Sequence, residues 1–350
     1  MKPGGRTTVT QQDVAERAKV ARSVVSKVLH GGAETVRVNP ETAERIRRIA
    51  GEMGYQPSAF ARNFRLQKTG QIGLLYGDGF SMMKLDGGSP YFASLMDGIV
   101  VGTFKNKYTL GLCPSLFGPS PESAMADGRF DGFIWYSTGP SARNKERLRR
   151  CQAPLVLIHS RAADFDNRFP TVICDNDQGI RLALEHLVEL GHRRISYAYD
   201  GYQTSTESAI RCDAFILHCS RLGLAPSLLD ATLGPDGVRA TLAGMKAYFE
   251  QGPRETAMIS CGDEWGFEAM KLAKQAGIRV PEDYSVIGFD STSLCKFQNP
   301  PLTAIYQPLS AMGELAVDLL VGLIEGRQPD PIESVMPCRL DVRESTARAR

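Results

Sequence analysis

Residues 10–30, TQQDVAERAKVARSVVSKVLH, contain two short helical patterns with a tight turn between them. The first apolar period breaks at Lys19, and the second runs on to Gly31. Thr10, followed three residues later by Asp13, has the pattern of an N-cap. Helices of this length bury too little apolar surface to be stable alone, so a third element has to cover them.

The third element follows directly. Asn39 is a cap, Pro40 occupies the first helical position and Gly54 ends the period. Its apolar stripe consists of Ile46, Ile49, Ala50 and Met53. The sequence therefore predicts a small three-helix unit, and periodicity alone fits a packing domain as well as a binding module.

Charge favours the binding module. Lys19, Arg22, Ser23 and Lys27 make the turn and the second helix rich in hydrogen-bond donors, and such donors are what guanine edges and phosphates accept from in a major groove. Arg22 opposes the helix dipole in the first turn, which costs about 0.3 to 1 kcal/mol unless an external acceptor faces it. Residues 1–70 carry net charge +7 and the remainder −5, a division typical of a chain that meets nucleic acid at one end.

From residue 71 onward, continuous apolar runs alternate with helical patterns. Such runs indicate strands that are covered on both faces, and hence parallel sheets. The predicted strands lie near 72–76, 133–136, 155–158, 195–199, 258–260 and 285–289. The predicted helices lie near 91–105, 177–190, 208–223, 237–251, 264–277 and 308–325. This rhythm predicts a doubly wound α/β architecture.

Composition narrows the class of protein. The 350 residues are 43% hydrophobic and 23% charged, enough for two or three cores. Met1–Arg6 has no apolar run, and no stretch reaches about 18 apolar residues, so we expect no signal peptide, no membrane contact and a cytoplasmic location. The eight cysteines form no C-x-x-C pair, which predicts reduced thiols and no metal or other cofactor.

Several segments together resemble the LacI/GalR family of bacterial transcription regulators. Near the amino terminus they are VTQQDVAERAKVARSVVSKVL, GYQPSAFARNFR and the strand Gln71 to Tyr76; later come GHRRI at 191–195, VPEDYSVIGFD at 280–290 and PPLTAIYQP at 300–308. Each is weak alone, but their order and spacing along nearly the whole chain are specific.

The resemblance implies a domain organisation. Residues 1–66 would form a small all-α helix-turn-helix head that ends in a hinge helix at 58–65. Residues 71–350 would form an α/β body like a periplasmic binding protein, with two doubly wound parallel-sheet subdomains joined by crossings near 175, 304 and 335. The Pro- and Gly-rich segment 113–130 is shorter than the family's usual helix there, so the first subdomain is expected to be trimmed on a face that the family uses for subunit contact.

The resemblance also implies DNA-contacting residues. Arg22, Ser23 and Lys27 match recognition-helix positions, with Lys19 in the turn beside them. In the hinge helix, Phe64 stands at the position of the apolar minor-groove wedge, flanked by Arg62 and Arg65, and this insertion would kink the duplex. Lys19 replaces a usual glycine, which predicts left-handed strain of about 1 kcal/mol. The implied partner is double-stranded DNA carrying a pseudo-palindromic operator, bound by a homodimer.

Ligands of open α/β sheets bind beyond the carboxyl ends of the strands. Candidates there are Asp78, Tyr91, Phe92, His159, Arg161, Asp175, Arg211, Asp263, Trp265 and Asp290. In the family, the positions of Tyr91, Phe92, Arg211 and Asp290 commonly contact the effector. A donor fork beside an acceptor pair suits vicinal hydroxyls or a heterocycle. Core packing for the aromatics and a structural ion pair for Arg211 and Asp290 are the alternatives. Gly262 replaces a usual Asn, so the polar set differs from that of familiar sugar sites.

These observations predict a transcription repressor controlled by a small molecule, most simply sugar-like, bound between the subdomains. A co-repressor-type regulator that binds a nucleobase or another metabolite is the alternative. An enzyme is disfavoured, because the chain has no G-x-G-x-x-G, P-loop, G-x-S-x-G or H-E-x-x-H motif. A free-standing solute-binding protein would explain the body but not the basic head.

Overall fold

The computed structural model describes residues 9–30, 38–56, 68–76, 90–113, 125, 128–137, 142–199, 206–229 and 238–350. The chain divides into two compact units, Met1–Thr69 and Gly70–Arg350, called here the head and the body. The proposed hinge helix at 58–65, with Arg62, Phe64 and Arg65, lies outside the described residues, as do Asp78 and most of segment 113–130.

The head contains α1 (Gln11–Ala18), α2 (Arg22–His30) and α3 (Pro40–Glu52), so the three predicted helices are confirmed. The predicted caps are confirmed too: Asp13 N donates to Thr10 Oγ1 at 3.3 Å, and Glu41 N donates to Asn39 Oδ1 at 3.0 Å. The helices share one small core. It is made of Val14, Ala15, Ala18, Val25, Ile46, Ile49 and Ala50.

Within its described residues, the body contains two six-stranded sheets. The strands are β1 (Gln71–Tyr76), β2 (Thr109–Cys113), β3 (Gly132–Tyr136), β4 (Leu155–Ile158), β5 (Thr171–Cys174), β6 (Ile195–Ala198), β7 (Ser227–Leu229), β8 (Ala257–Ser260), β9 (Ser285–Asp290), β10 (Thr303–Tyr306), β11 (Glu333–Met336) and β12 (Arg339–Asp341). Sheet A has the strand order β11-β5-β4-β3-β1-β2, and sheet B has the order β12-β10-β9-β8-β6-β7.

Helices cover both sheets. In chain order they are α4 (Pro90–Lys105), α5 (Ala142–Arg149), α6 (Asn176–Glu189), α7 (Thr206–Arg221), α8 (Val238–Glu250), α9 (Asp263–Gln275) and α10 (Leu309–Ile324). The six predicted strands and six predicted helices agree with these bounds to within one or two residues, and the doubly wound architecture is confirmed. Strands β3, β4, β5, β6 and β8 are buried along their whole length, as continuous apolar runs require.

The chain passes between the sheets three times. It leaves sheet A after β5 and enters the helix α6, returns after β10 through α10, and leaves again between β11 and β12. The last crossing departs from the parallel arrangement expected of both sheets, because β12 pairs antiparallel with β10. A strand that runs straight from the carboxyl end of one sheet into the facing end of the other enters against its new neighbours, so this reversal follows from the absence of a helix between β11 and β12.

Helices α4 and α10 cross at unusually short range. A Cβ atom added at Gly98 would lie 1.8 Å from the backbone oxygen of Ser310, and one at Gly313 would lie 2.5 Å from that of Leu95. Backbone atoms of a packed helix cannot move aside as the end of a long side chain can. The two glycines therefore set how closely the second crossing is held against sheet A.

We expect Gly98→Ala to lower the free energy of unfolding of the body by about 2 kcal/mol, because the helices must separate to admit the methyl group. Denaturant unfolding followed by tryptophan fluorescence measures this. Gly102→Ala is the graded control, since its Cβ would meet only the Val317 side chain, at 3.0 Å, and the backbone of Glu314, at 3.2 Å. Equal costs for the two variants would contradict the close-crossing explanation.

Candidate functional site

In the head, the donor-rich side chains of α2 point away from the core. Arg22 and Ser23 are exposed, and Lys27 is half-buried. The first turn of α2 contains no acidic residue, so nothing in that turn offsets the positive charge of Arg22 beside the helix dipole. The helix thus presents a basic amino-terminal end on the outside of the head.

Lys19 adopts the left-handed conformation that the sequence predicts, with φ 52° and ψ 46°, and its backbone N–H closes the end of α1 on Ala15 and Glu16. Glycine is the usual residue in such a cap, because a Cβ atom is strained there. The exposed ammonium group of Lys19 stands beside the start of α2.

We expect Lys19→Gly to stabilise the head by about 1 kcal/mol, through relief of the left-handed strain. Slower hydrogen exchange of the α1 and α2 amides in the full-length chain would report it. Lys19→Ala removes the same charge but keeps a Cβ atom, so it should give no such gain. Equal protection in the two variants would mean that the conformation at residue 19 is not strained.

In the body, buried polar side chains from both sheets meet where their strands end. His159 follows β4 of sheet A, and Tyr91 Oη lies 2.5 Å from its Nε2 atom. The other ring nitrogen, Nδ1, has no hydrogen-bond partner and faces Glu207 Oε2 of α7 at 3.9 Å. His159 is fully buried, so this unsatisfied atom marks a place where a ligand group would be stabilised.

Arg211 is the central cation of this network. Its Nε atom donates to Asn176 Oδ1 at 2.7 Å and its Nη1 atom to the Cys261 carbonyl at 2.5 Å. The guanidinium lies over the Phe289 ring, 3.8 Å from the centroid. Two carboxylates flank it beyond hydrogen-bond range, Glu207 Oε2 at 3.9 Å and Asp290 Oδ1 at 3.9 Å. Arg211 thus neutralises buried charge from two elements at once.

Asp290 ends β9 with φ 114°, and Ser291 follows with φ 49°, a strained path of the kind found at ligand sites. Asp263 holds this path in place: its carboxylate accepts from Ser291 N at 3.3 Å and Thr292 N at 2.7 Å. Gln307 Nε2 donates to Asp290 Oδ1 at 2.5 Å. Asp263, predicted as an effector contact, is therefore already occupied with backbone groups.

Burial sets the protonation states of the site. It lowers the pKa of His159 from 6.5 to about 4, so the imidazole is neutral near pH 7. Burial also raises the pKa of Asp290 well above its ordinary range, against the opposing effect of Arg211. The pKa of Tyr91 is raised by burial as well, which keeps its hydroxyl protonated and able to donate.

The remaining predicted residues are placed as follows. Phe92 is buried with its ring 5.6 Å from that of Tyr136, a core contact. Trp265 is half-buried against the sheet B core. Arg161 is half-exposed and pairs with Glu333 at 3.4 Å; among the described residues, no hydrogen bond or ion pair joins it to Arg211 or Asp290.

Three residues of the network were missed by sequence reasoning. They are Glu207, Asn176 and Gln307. Asn176 Nδ2 donates to Glu207 Oε2 at 2.5 Å, and Asn176 Oδ1 accepts from Arg211. Gln307 donates to Asp290. A signal existed for Glu207, which precedes Arg211 by one helical turn, and for Gln307, which directly follows β10. Asn176 stands beside Asp175, which was considered and which caps α6 instead.

A small cavity adjoins the network at the second crossing. Its volume is about 170 Å³, and both subdomains contribute to its wall. The lining residues are Ser94, Asp97, Asp290, Ser291, Thr292, Ser293, Tyr306, Gln307, Leu309 and Ser310. The cleft between the subdomains therefore holds a polar space next to Asp290, large enough for a small organic molecule.

The head is a basic three-helix unit, and the body consists of two sheets that the chain crosses three times, with a polar network between the sheets. These features define the class of ligand-responsive DNA-binding regulators. Residues 10–58 match the family model "Bacterial regulatory proteins, lacI family", and residues 184–346 match "Periplasmic binding protein-like domain". The chain therefore carries a lacI-family domain and a periplasmic binding protein-like domain, as LacI-family transcription regulators do.

Individual relatives span nearly the whole chain. The HTH-type transcriptional repressor PurR of Edwardsiella ictaluri (strain 93-146) is 29% identical over 349 residues, with 97% of each chain covered. A Lac repressor dimer bound to operator and the anti-inducer ONPF has TM-score 0.78 at 22% identity, covering 97% of this chain and 100% of that one. A complex of the regulator CelR with cellobiose has TM-score 0.68 at 26% identity, covering 96% and 99%. Such relatives are regulators rather than enzymes. Within the described residues, no helix has the length and hydrophobicity needed to span a bilayer.

Proposed function

We propose that the protein is a homodimeric transcription repressor that reads a pseudo-palindromic operator and is controlled by a small molecule bound between its subdomains. The observation that carries the proposal is the exposed, uncompensated Arg22 and Ser23 at the start of α2. Such a helix end suits base edges and phosphates in a major groove. Lys27 and Lys19 add contacts nearby, and Arg62, Phe64 and Arg65 would act in the minor groove. A regulator of this kind works on chromosomal DNA, in the cytoplasm.

The effector would lie among Tyr91, His159, Arg211 and Asp290, which come from both subdomains. His159 Nδ1 and Gln307 Oε1 are buried without hydrogen-bond partners, so a bound molecule would satisfy them. CelR, at 26% identity, binds cellobiose, which supports a sugar-like effector. In this proposal four other residues surround the effector-contacting side chains without touching the effector: Arg161, Asp263, Phe92 and Trp265.

Dimerisation rests on exposed apolar side chains of both subdomains. Phe104 on α4 is 76% exposed and Phe297, after β9, is 79% exposed; large apolar groups are rarely left to solvent unless a partner covers them. A ligand that joins the subdomains would change the angle between these two faces. Because linkage is reciprocal, operator affinity would then change with effector binding, typically by about 1 to 3 kcal/mol.

Selection of bound duplexes from a random DNA library, with the full-length protein at near-physiological salt, tests the proposal. We expect enrichment of one pseudo-palindrome, and loss of binding to it when polar cell metabolites are added. A folded dimer that enriches no sequence, with or without metabolites, would overturn the repressor assignment. Enrichment that appears only with metabolites would reverse the sign of the control and identify a co-repressor.

A further inference from the structure

The cavity at the second crossing has an unusual charge. Ten described residues line it. Two of these ten are carboxylic acids, Asp97 and Asp290, and none of the ten is Lys, Arg or His. Asp97 comes from α4 on the sheet A side and is exposed, whereas Asp290 ends β9 on the sheet B side. Carboxyl groups therefore face the same space from both subdomains. Burial favours the neutral form of Asp290, and a cation placed between the two groups would favour its ionised form.

Three arginines adjoin this space, and each has other partners. Arg343 Nη2 donates to Ser291 Oγ at 2.8 Å, and Arg339 lies over the Tyr306 ring, 3.5 Å from its centroid. Both of these arginines pair with Asp341. Arg211 Nη1 is 3.9 Å from Asp290 Oδ1, and the same nitrogen donates to the Cys261 carbonyl. Arg211 is also shared with Glu207, at 3.9 Å. One guanidinium thus serves two buried carboxylates, and Asp97 has no ion pair among the described residues. A cation inside the cavity would balance the charge that remains.

The cavity wall also includes a buried hydrogen-bond acceptor without a partner, which suits a cationic donor. Gln307 is 1% exposed, and its Nε2 atom donates to Asp290 Oδ1. This bond fixes the carboxamide, because the flipped amide would place two oxygens together. Gln307 Oε1 is then a buried acceptor without a partner. Ser94 Oγ donates to the Pro90 carbonyl at 3.0 Å and keeps its lone pairs as acceptors. The hydroxyls of Thr292, Ser293 and Ser310 can each donate or accept, so they tolerate an amine without selecting for it.

We propose that the effector carries a protonated amine, which binds in this cavity between Asp97, Asp290 and Gln307 Oε1. The inference rests on the proposed effector control and specifies its ligand class as amino sugars and amines of similar size. A cavity of about 150 Å³ holds a benzene-sized molecule in another protein, so about 170 Å³ accommodates the amine-bearing part of such a compound. A metal ion is the weaker fit, because no three His, Cys, Asp or Glu side chains converge within the described residues.

Equilibrium dialysis of the full-length protein against a polar metabolite extract, read by mass spectrometry, tests this. We expect the retained compound to contain a primary amine and its N-acetylated form to bind at least tenfold more weakly. Affinity should also fall at least tenfold in Asp97→Asn and in Asp290→Asn. Asp330→Asn is the matched control, since Asp330 is an exposed carboxylate outside the cavity, and it should bind as the unaltered chain does.

Retention of a neutral or acidic compound, retention of no compound, or equal binding of the N-acetylated form overturns the amine assignment. Unchanged affinity in Asp97→Asn does so too, and this exposed position avoids any doubt about folding. Operator binding is measured on the same preparations. A neutral compound that still alters operator affinity would leave the repressor assignment standing while the amine assignment fails.

Discussion

Arg211→Ala is expected to lower the free energy of unfolding of the body by about 3 to 5 kcal/mol. The substitution leaves the buried Glu207 and Asp290 carboxylates without the cation that lies 3.9 Å from each of them. It also removes the donors to Asn176 and the Cys261 carbonyl and the contact with Phe289. Denaturant unfolding followed by tryptophan fluorescence reports on the body alone, because the only two tryptophans are Trp135 and Trp265.

Arg181→Ala is the matched control. Arg181 forms a 2.9 Å pair with Glu185 one turn away on α6, but both side chains are about two-fifths exposed, so its loss should cost less than about 1 kcal/mol. Similar costs for the two variants would show that the Arg211 network is not a buried electrostatic unit. At a temperature where Arg211→Ala remains folded, we expect operator binding to persist and its response to metabolites to disappear.

Arg22→Ala is expected to weaken operator binding by about 2 to 6 kcal/mol in a dimer, since each half-site loses about 1 to 3 kcal/mol of base discrimination. Selection from a random library should then show relaxed preference at one base position in each half-site. The same substitution should stabilise α2 slightly, by about 0.3 to 1 kcal/mol, because a cation leaves the positive end of its dipole.

Arg47→Ala removes an equal charge from α3, where the side chain is exposed. It should reduce binding to all sequences by a similar factor and leave base preference unchanged. If Arg22→Ala gives that same uniform loss, then Arg22 contacts phosphates rather than bases. Unaltered operator affinity would remove Arg22 from the DNA-binding surface altogether.

Six strands were predicted because a strand covered on both faces needs a continuous apolar run. The buried strands β5 and β10 were not among them, since their segments were expected only as crossings near 175 and 304. The edge strands β2 and β7 carry no such requirement, being partly exposed along their length, and they were not predicted. Helix α5 was missed for a similar reason, since ARNKERLR places only Leu148 in the core among its hydrophobic positions. The antiparallel β12 depends on where the chain crosses, which a local pattern does not contain.

In the candidate site, too, some residues could be predicted from local sequence and others depend on distant parts of the chain. Arg211 and Asp290 were predicted from their places near strand ends and from family resemblance, and the structure brings their side chains to within 3.9 Å. Arg161 also follows a strand, yet the chain turns at His159, with φ 62°, and directs Arg161 towards Glu333. Asn176 and Gln307 were missed because an amide side chain alone does not indicate a binding role. The role of Asn176 depends on Glu207 and Arg211, which lie more than thirty residues away in the sequence.

The three crossings have a consequence for synthesis on the ribosome. Sheet A lacks its edge strand β11 until residue 336 has emerged, and sheet B lacks its edge strand β12 until residue 341 has emerged. The head has its own core, whose buried residues end at Ala50 and whose last packing residue is Tyr55. At about 5 to 20 residues per second, the rest of the chain takes roughly 15 to 60 seconds to translate. The nascent protein therefore carries a folded head for most of its synthesis, before the part that would regulate it exists.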